Sequence, residues 1–156
     1  MTETDDTTGR SDPFDLNRFK AAQERIYGTI LAELKGGQKR SHWMWFIFPQ
    51  IDGLGHSPTA RHYAIKSREE ARTYLDHPVL GSRLLECAQA VLAVEGRSAS
   101  AIFGYPDDMK LKSSMTLFAA VTEDPDSVFV RVLERYFGGE RDGATIRLLE
   151  SLKTNK

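Results

Sequence analysis

The sequence predicts an all-α domain of about seven or eight short helices, with an irregular segment around residues 36–60. Three observations carry that reading. Apolar residues recur at spacings of three and four in most segments, Asp or Ser with or without Pro precedes those segments, and glycines follow them. Convincing period-two alternation and Asn-Gly hairpin turns are both missing from the sequence. A length of 156 residues suits one domain with its own core.

Residues 1–11 are acidic and rich in hydroxyls and are expected to form a disordered tail, leaving 12–154 as the domain. The first helix is expected from Asp12 as cap and Pro13 as opening residue. Its stripe would be Leu16, Phe19, Ala22, Ile26, Ile30 and Leu34, and Gly36 and Gly37 would end it. Next comes SHWMWFIFPQ, residues 41–50, which holds both tryptophans and an apolar run from Trp43 to Phe48. Such a run fits a buried strand or a buried helix. Ser41 as a cap and the helical surroundings favour a short helix ended by Pro49.

Ser67 and Glu70 make a capping box at the start of SREEARTYL. Pro78 opens a helix expected to be central, with Leu80, Leu84, Cys87, Ala88, Val91 and Leu92 on one stripe and Gly96 as its stop. SASAIFG reads as a brief helical turn ending at Gly104. The next helix is DDMKLKSSMTLFAAVT, with Leu111, Met115 and Phe118 inward. Asp124 and Pro125 are expected to start the following one, with Phe129, Val132, Leu133, Tyr136 and Phe137 buried and Gly138 and Gly139 closing it. Asp142 opens the last, whose buried set would be Ile146, Leu149 and Leu152. Internal repeats and low-complexity blocks are absent from the sequence.

The formal charge is −1, from 21 Lys and Arg against 22 Asp and Glu, and the densest basic cluster is KGGQKR at 35–40. A general nucleic-acid binder would need a basic face, so that class is not expected. Apolar runs fall far short of the roughly 20 residues of a membrane span, and the N-terminus lacks the basic start and apolar middle of a secretory leader. Cys87 is the single cysteine, so a reducing cytoplasm is the expected location.

DPFDLNRF, SHWMWFIFPQIDGLG, LDHPVLGSRL, IFGYPDD and KLKSSMTLF resemble, in order from Asp12 to about Leu149, the signature blocks of the bacterial family catalogued as domain of unknown function 1810. The resemblance implies a mainly helical single domain and supplies no activity or catalytic residues. Some members carry the label calpastatin-like. Calpain inhibitors of that kind act as disordered repeats, whereas this chain should fold and has no repeat.

Two stretches are the candidate ligand site. In the first, His42 precedes the aromatic run and Gln50 follows it. Gly53, Gly55 and His56 then lead to a helix start at Ser57 and Pro58, where free backbone donors and Arg61 would favour an anion. The same residues also make an ordinary loop. In the second, Lys110, Ser113 and Ser114 lie on a helix whose polar stripe turns apolar, which puts the serines near buried surroundings. Lys110 either reaches a ligand or pairs with Asp107, and each serine either faces a pocket or bonds a carbonyl one turn back.

The sequence offers no metal-ligand spacing, so no structural metal is expected. A nucleophile elbow, a GK[ST] phosphate loop and a dinucleotide fingerprint are missing too, and no cofactor is implied. Cys87 sits on an apolar stripe and reads as a small buried hydrophobe. His77, before Pro78, reads as a helix-boundary residue. Two functions remain open: a pocket for a small polar or anionic molecule, with or without catalysis, and a non-enzymatic protein-interaction module in which the aromatic run is purely core. The residues name no protein partner.

Overall fold

A computed structural model describes residues 12–154 of the chain. Ten helices occur among them: α1 Asn17–Gln23, α2 Tyr27–Lys35, α3 Met44–Ile47, α4 Pro58–His62, α5 Arg68–Asp76, α6 Leu80–Ala93, α7 Ala99–Phe103, α8 Asp107–Val121, α9 Val128–Phe137 and α10 Gly143–Thr154. No strand is formed by the described residues. A single parallel bridge pairs Ile51 with Ile65. The proposed tail, 1–11, lies outside them.

The helix expected from Asp12 to Leu34 is two helices. Asp12 does cap, its carboxylate accepting the Leu16 and Asn17 amides at 2.6 and 2.9 Å, but Pro13 lies in a turn and the helix opens at Asn17. The apolar spacing runs on through a break at 24–26, where Ile26 leaves helical geometry (φ −120°, ψ 3°) and bonds to Gln23 three residues back. The break lets the halves serve different neighbours: α1 packs on α3, and α2 on α6. It also follows Gln23, which is buried, donates to the Phe46 carbonyl at 2.7 Å and accepts from Arg83 at 3.1 Å.

Within the run at 43–48, Met44–Ile47 form the short helix α3, ended before Pro49; Ser41 does not cap it, its hydroxyl donating to Glu33 instead. Trp43 is fully buried at 0% exposure, with Phe46, Ile47 and Phe48 beside it in the core, while Trp45 is only half-buried. Glu33 organises the approach to α3. Its carboxylate accepts the Arg40 and Ser41 amides, the Ser41 hydroxyl at 2.6 Å and the Trp43 indole N–H at 2.8 Å. Burial would raise this carboxyl, but the bonds from Ser41, Arg40 and Trp43 outweigh it and hold the group below the usual carboxylate range.

Helix starts follow the sequence with adjustments. Ser67 Oγ accepts the Glu70 amide at 3.0 Å, yet the Glu70 carboxylate does not complete a box with Ser67; it turns inward and accepts the Lys66 amide at 2.8 Å. His77 caps α6, its Nδ1 accepting the Val79 and Leu80 amides at 3.1 Å each. The helix expected from Asp124 begins at Val128, because Asp124 closes a turn with the Asp126 amide and Ser127 is the cap. Gly138 ends it at φ +63°, the left-handed geometry that favours glycine.

Two helices share the centre. α6 packs on α2, α5 and α9 by one stripe and leaves Leu85, Glu86 and Gln89 exposed. α8 packs on α5, α7, α9 and α10, and every residue from Ser113 to Ala119 is buried. The hinge between α5 and α6 is close: a Cβ on Gly81 would stand 2.0 Å from the Leu75 carbonyl oxygen. Cys87 is buried as expected, and burial pushes its thiol up to about 12.

Candidate functional site

The site grows from one arginine. Asp12 shapes a turn in which Asp15 adopts φ +53°, a geometry that aspartate tolerates, and the carbonyls of Phe14 and Asp15 face back to Arg18. Arg18 Nη1 donates to both, at 2.7 and 2.9 Å. Its Nε donates to the His62 carbonyl at 2.7 Å, and Nη2 to the Ala64 carbonyl at 3.0 Å and Glu70 Oε2 at 2.7 Å. All five donors of the guanidinium are thus committed to the protein. The pair is buried, with side-chain exposures of 9% for Arg18 and 2% for Glu70. It ties the N-terminal turn, the end of α4 and the start of α5 into one wall.

Along this wall runs an open groove of about 490 Å³ lined by Pro13, Phe14, Asp15, Arg18, Arg61, His62, Lys66, Ser67 and Glu70. Arg18 and Glu70 neutralise each other. The other charged residues of the lining are Asp15, Arg61 and Lys66, so the lining is net cationic. Arg61 is exposed and its guanidinium makes no hydrogen bond or ion pair with a described residue, while Lys66 Nζ only reaches the Arg61 and Ala64 carbonyls at 3.4 Å.

His62 is shared with a second depression of about 410 Å³, lined also by Trp45, Phe46, Pro58, Thr59 and Tyr63. The His62 ring meets Tyr63 edge-on at 4.6 Å, and Tyr63 packs on Phe46 and Phe19 at 5.5 and 5.7 Å. The aromatic floor is therefore continuous with the core. Lys110 sits 4.9 Å from the Trp45 ring centre without lining the depression. A cleft elsewhere, of about 460 Å³ between α6 and the approach to α9, has an apolar floor and sets Asp124 and Asp126 against Arg131. Its acidic balance disfavours an anion.

Of the residues expected at a site, Arg61 lines the groove. Gln50 and Gly55 line a third cleft with Trp45, whose roughly 10 Å³ holds about one water. Ser57 Oγ caps α4 by accepting the Ala60 amide, and a Cβ on Gly55 would stand 2.6 Å from that of Ala60, so this helix end is occupied by its own chain. Gly53 packs on Leu148, and His42 and His56 are exposed away from these walls. Lys110 pairs with Asp107 at 3.5 Å, and Asp107 also takes Lys39 at 2.9 Å. Ser113 is buried and bonds Thr145 Oγ1 at 3.0 Å. Ser114 is buried with no partner for its hydroxyl among the described residues. The sequence reading missed Arg18, His62, Lys66 and Glu70; of these only Glu70 carried a local signal, the cap at Ser67.

No group of three His, Cys, Asp or Glu among the described residues is arranged to hold a metal ion. No helix among them is long and apolar enough to cross a membrane.

The fold and these surfaces define a helical single-domain protein with a cationic groove beside an aromatic depression. The chain belongs to the family described as "Protein of unknown function (DUF1810)", whose model matches residues 13–149. It is similar to the crystal structure of the conserved hypothetical protein Rv1873 from Mycobacterium tuberculosis, with 55% identity, 89% of this chain and 99% of that chain covered, and a TM-score of 0.87. No curated protein matches the chain.

Proposed function

We propose that the protein binds a small anionic molecule in the groove beside Arg18. One observation carries this reading: Arg61 opens on a groove whose other arginine is fully committed, and pairs with no carboxylate among the described residues. An exposed guanidinium beside a rigid wall can offer a carboxylate or phosphate a bidentate contact. Lys66 adds a second charge, and Arg18 keeps the three chain segments in register. The reading is one of binding and assigns no reaction. It places the protein in a reducing cytoplasm, in keeping with the buried, unpaired Cys87.

The interaction-module reading has less support. The large hydrophobics exposed among the described residues are Leu85, Met109 and Tyr105, and only Tyr105, at 82%, is aromatic.

Thermal-shift titration with inorganic phosphate, against chloride at matched ionic strength, tests the anion reading. The parent should gain stability with phosphate by mass action, and Arg61→Ala/Lys66→Ala should not. Equal responses from parent and variant would remove the groove as the binding place.

A further inference from the structure

We infer that the ligand of the cationic groove carries an aromatic ring joined to its anionic group, as a mononucleotide does, and that the ring lies against Trp45. The inference rests on the anion reading above and extends it across His62. That residue lines both depressions, so the cationic wall of Arg61 and Lys66 and the aromatic wall of Trp45, Phe46 and Tyr63 form neighbouring halves of one surface. The order along the chain is compact. Pro58 and Thr59 lie on the aromatic side, Arg61 on the cationic side, and His62 is common to both, all within the single helix α4.

Trp45 departs from the rest of its run in a way that fits this use. Trp43, Met44, Phe46, Ile47 and Phe48 are buried, whereas Trp45 is half-buried and lines the depression. A large ring left at a concave surface and held by a cation, Lys110 at 4.9 Å, is a rigid platform for stacking. Every nucleobase has a face that stacks on such a ring, whichever hydrogen bonds its edge makes. The charge limits the ligand to something small. Arg61 and Lys66 against Asp15 can meet one phosphate group, while a polymer would need a longer basic track.

Isothermal titration of the full chain with AMP, ribose 5-phosphate and inorganic phosphate tests the inference. AMP should bind about tenfold more tightly than ribose 5-phosphate, the scale expected of one stacked base, and should quench tryptophan fluorescence where ribose 5-phosphate does not. Trp45→Leu should reduce that preference to less than about twofold while keeping ribose 5-phosphate affinity, and Trp45→Phe, which keeps a ring, should retain most of it. Retained ribose 5-phosphate binding also shows that the variants are folded. Equal affinity for AMP and ribose 5-phosphate, with both weakened by Arg61→Ala, would overturn the aromatic half and leave the anion groove standing. A preference for AMP untouched by Trp45→Leu would likewise overturn it. Absence of binding by all three probes would overturn the anion reading and this inference together.

Discussion

Arg18 Nη2 and Glu70 Oε2 lie 2.7 Å apart, and both side chains are almost wholly withdrawn from solvent. An ion pair in that position holds its geometry strongly even where its net contribution to stability is small, because each partner left alone would be a buried charge. The pair fixes the floor of the groove on which Arg61 and Lys66 stand.

Removal of one partner should therefore be costly. Arg18→Met is expected to lower stability by about 3–5 kcal/mol in urea denaturation, since it strands the Glu70 carboxylate. Arg18→Lys should recover little, because an ammonium has three donors where the guanidinium supplies five. Parent-like melting of Arg18→Lys would show that charge alone holds these segments.

The two tryptophans should part company. Trp43→Ala is expected to cost about 3–5 kcal/mol, as for a fully buried aromatic side chain. Trp45→Ala should cost about half that, because only part of its surface leaves water on folding. Equal losses in denaturant would put Trp45 with the core and weaken its assignment to a binding surface.

Neighbouring serines should respond differently. Ser113 shares a hydrogen bond with Thr145 Oγ1, which also donates to Asp142 Oδ2 at 2.6 Å, so Ser113→Ala should lose about 1 kcal/mol. Ser114 has a buried hydroxyl without a partner among the described residues, so Ser114→Ala should be neutral or stabilise by up to about 1 kcal/mol. A marked loss from Ser114→Ala would reveal a bond to that hydroxyl.

His77 predicts a pH dependence. Burial, aided by Lys20 and opposed by Asp12, lowers its pKa below the ordinary 6.5. The folded state thus binds this proton less readily than the unfolded state. The histidine's contribution is full above the unfolded value and is lost as pH falls through the folded one. Protonation at Nδ1 would also turn an acceptor of two amides into a donor. His77→Asn keeps a capping side chain without the titration. The stability difference between parent and variant should shift against the parent between pH 7.5 and 5, measured by urea denaturation; a constant difference would sink the account.

The helical class was legible because nearly every buried stripe recurs at three and four residues, and because Ser57 and Ser67 each cap a helix at the amide three residues on; the same role of Ser127 was not legible behind Asp124 and Pro125, which look like an earlier start. The break before Tyr27 was not, since Ala22, Ile26 and Ile30 continue the period across it. Arg61 was legible as a cation near a helix start. Arg18 was not, because its distant partners lie at 62, 64 and 70 and leave no trace in the residues around 18. Trp45 looked like its neighbours in the run; only packing distinguishes a ring at the edge of the core from one inside it.

The approach of Gly81 to the Leu75 carbonyl sets an asymmetry in what the chain can become. The close contact is with main chain, which every amino acid supplies alike, so position 75 can change its side chain without relieving the crowding. Position 81 has no such freedom: alanine adds a methyl where there is no flexible neighbour to yield, at a cost of about 3 kcal/mol or more. In a library randomised at both sites and sorted for folded protein, position 75 should drift among apolar residues while position 81 returns to glycine. The corner between α5 and α6 thereby works as a gauge, holding the two helices at one separation through sequence change elsewhere.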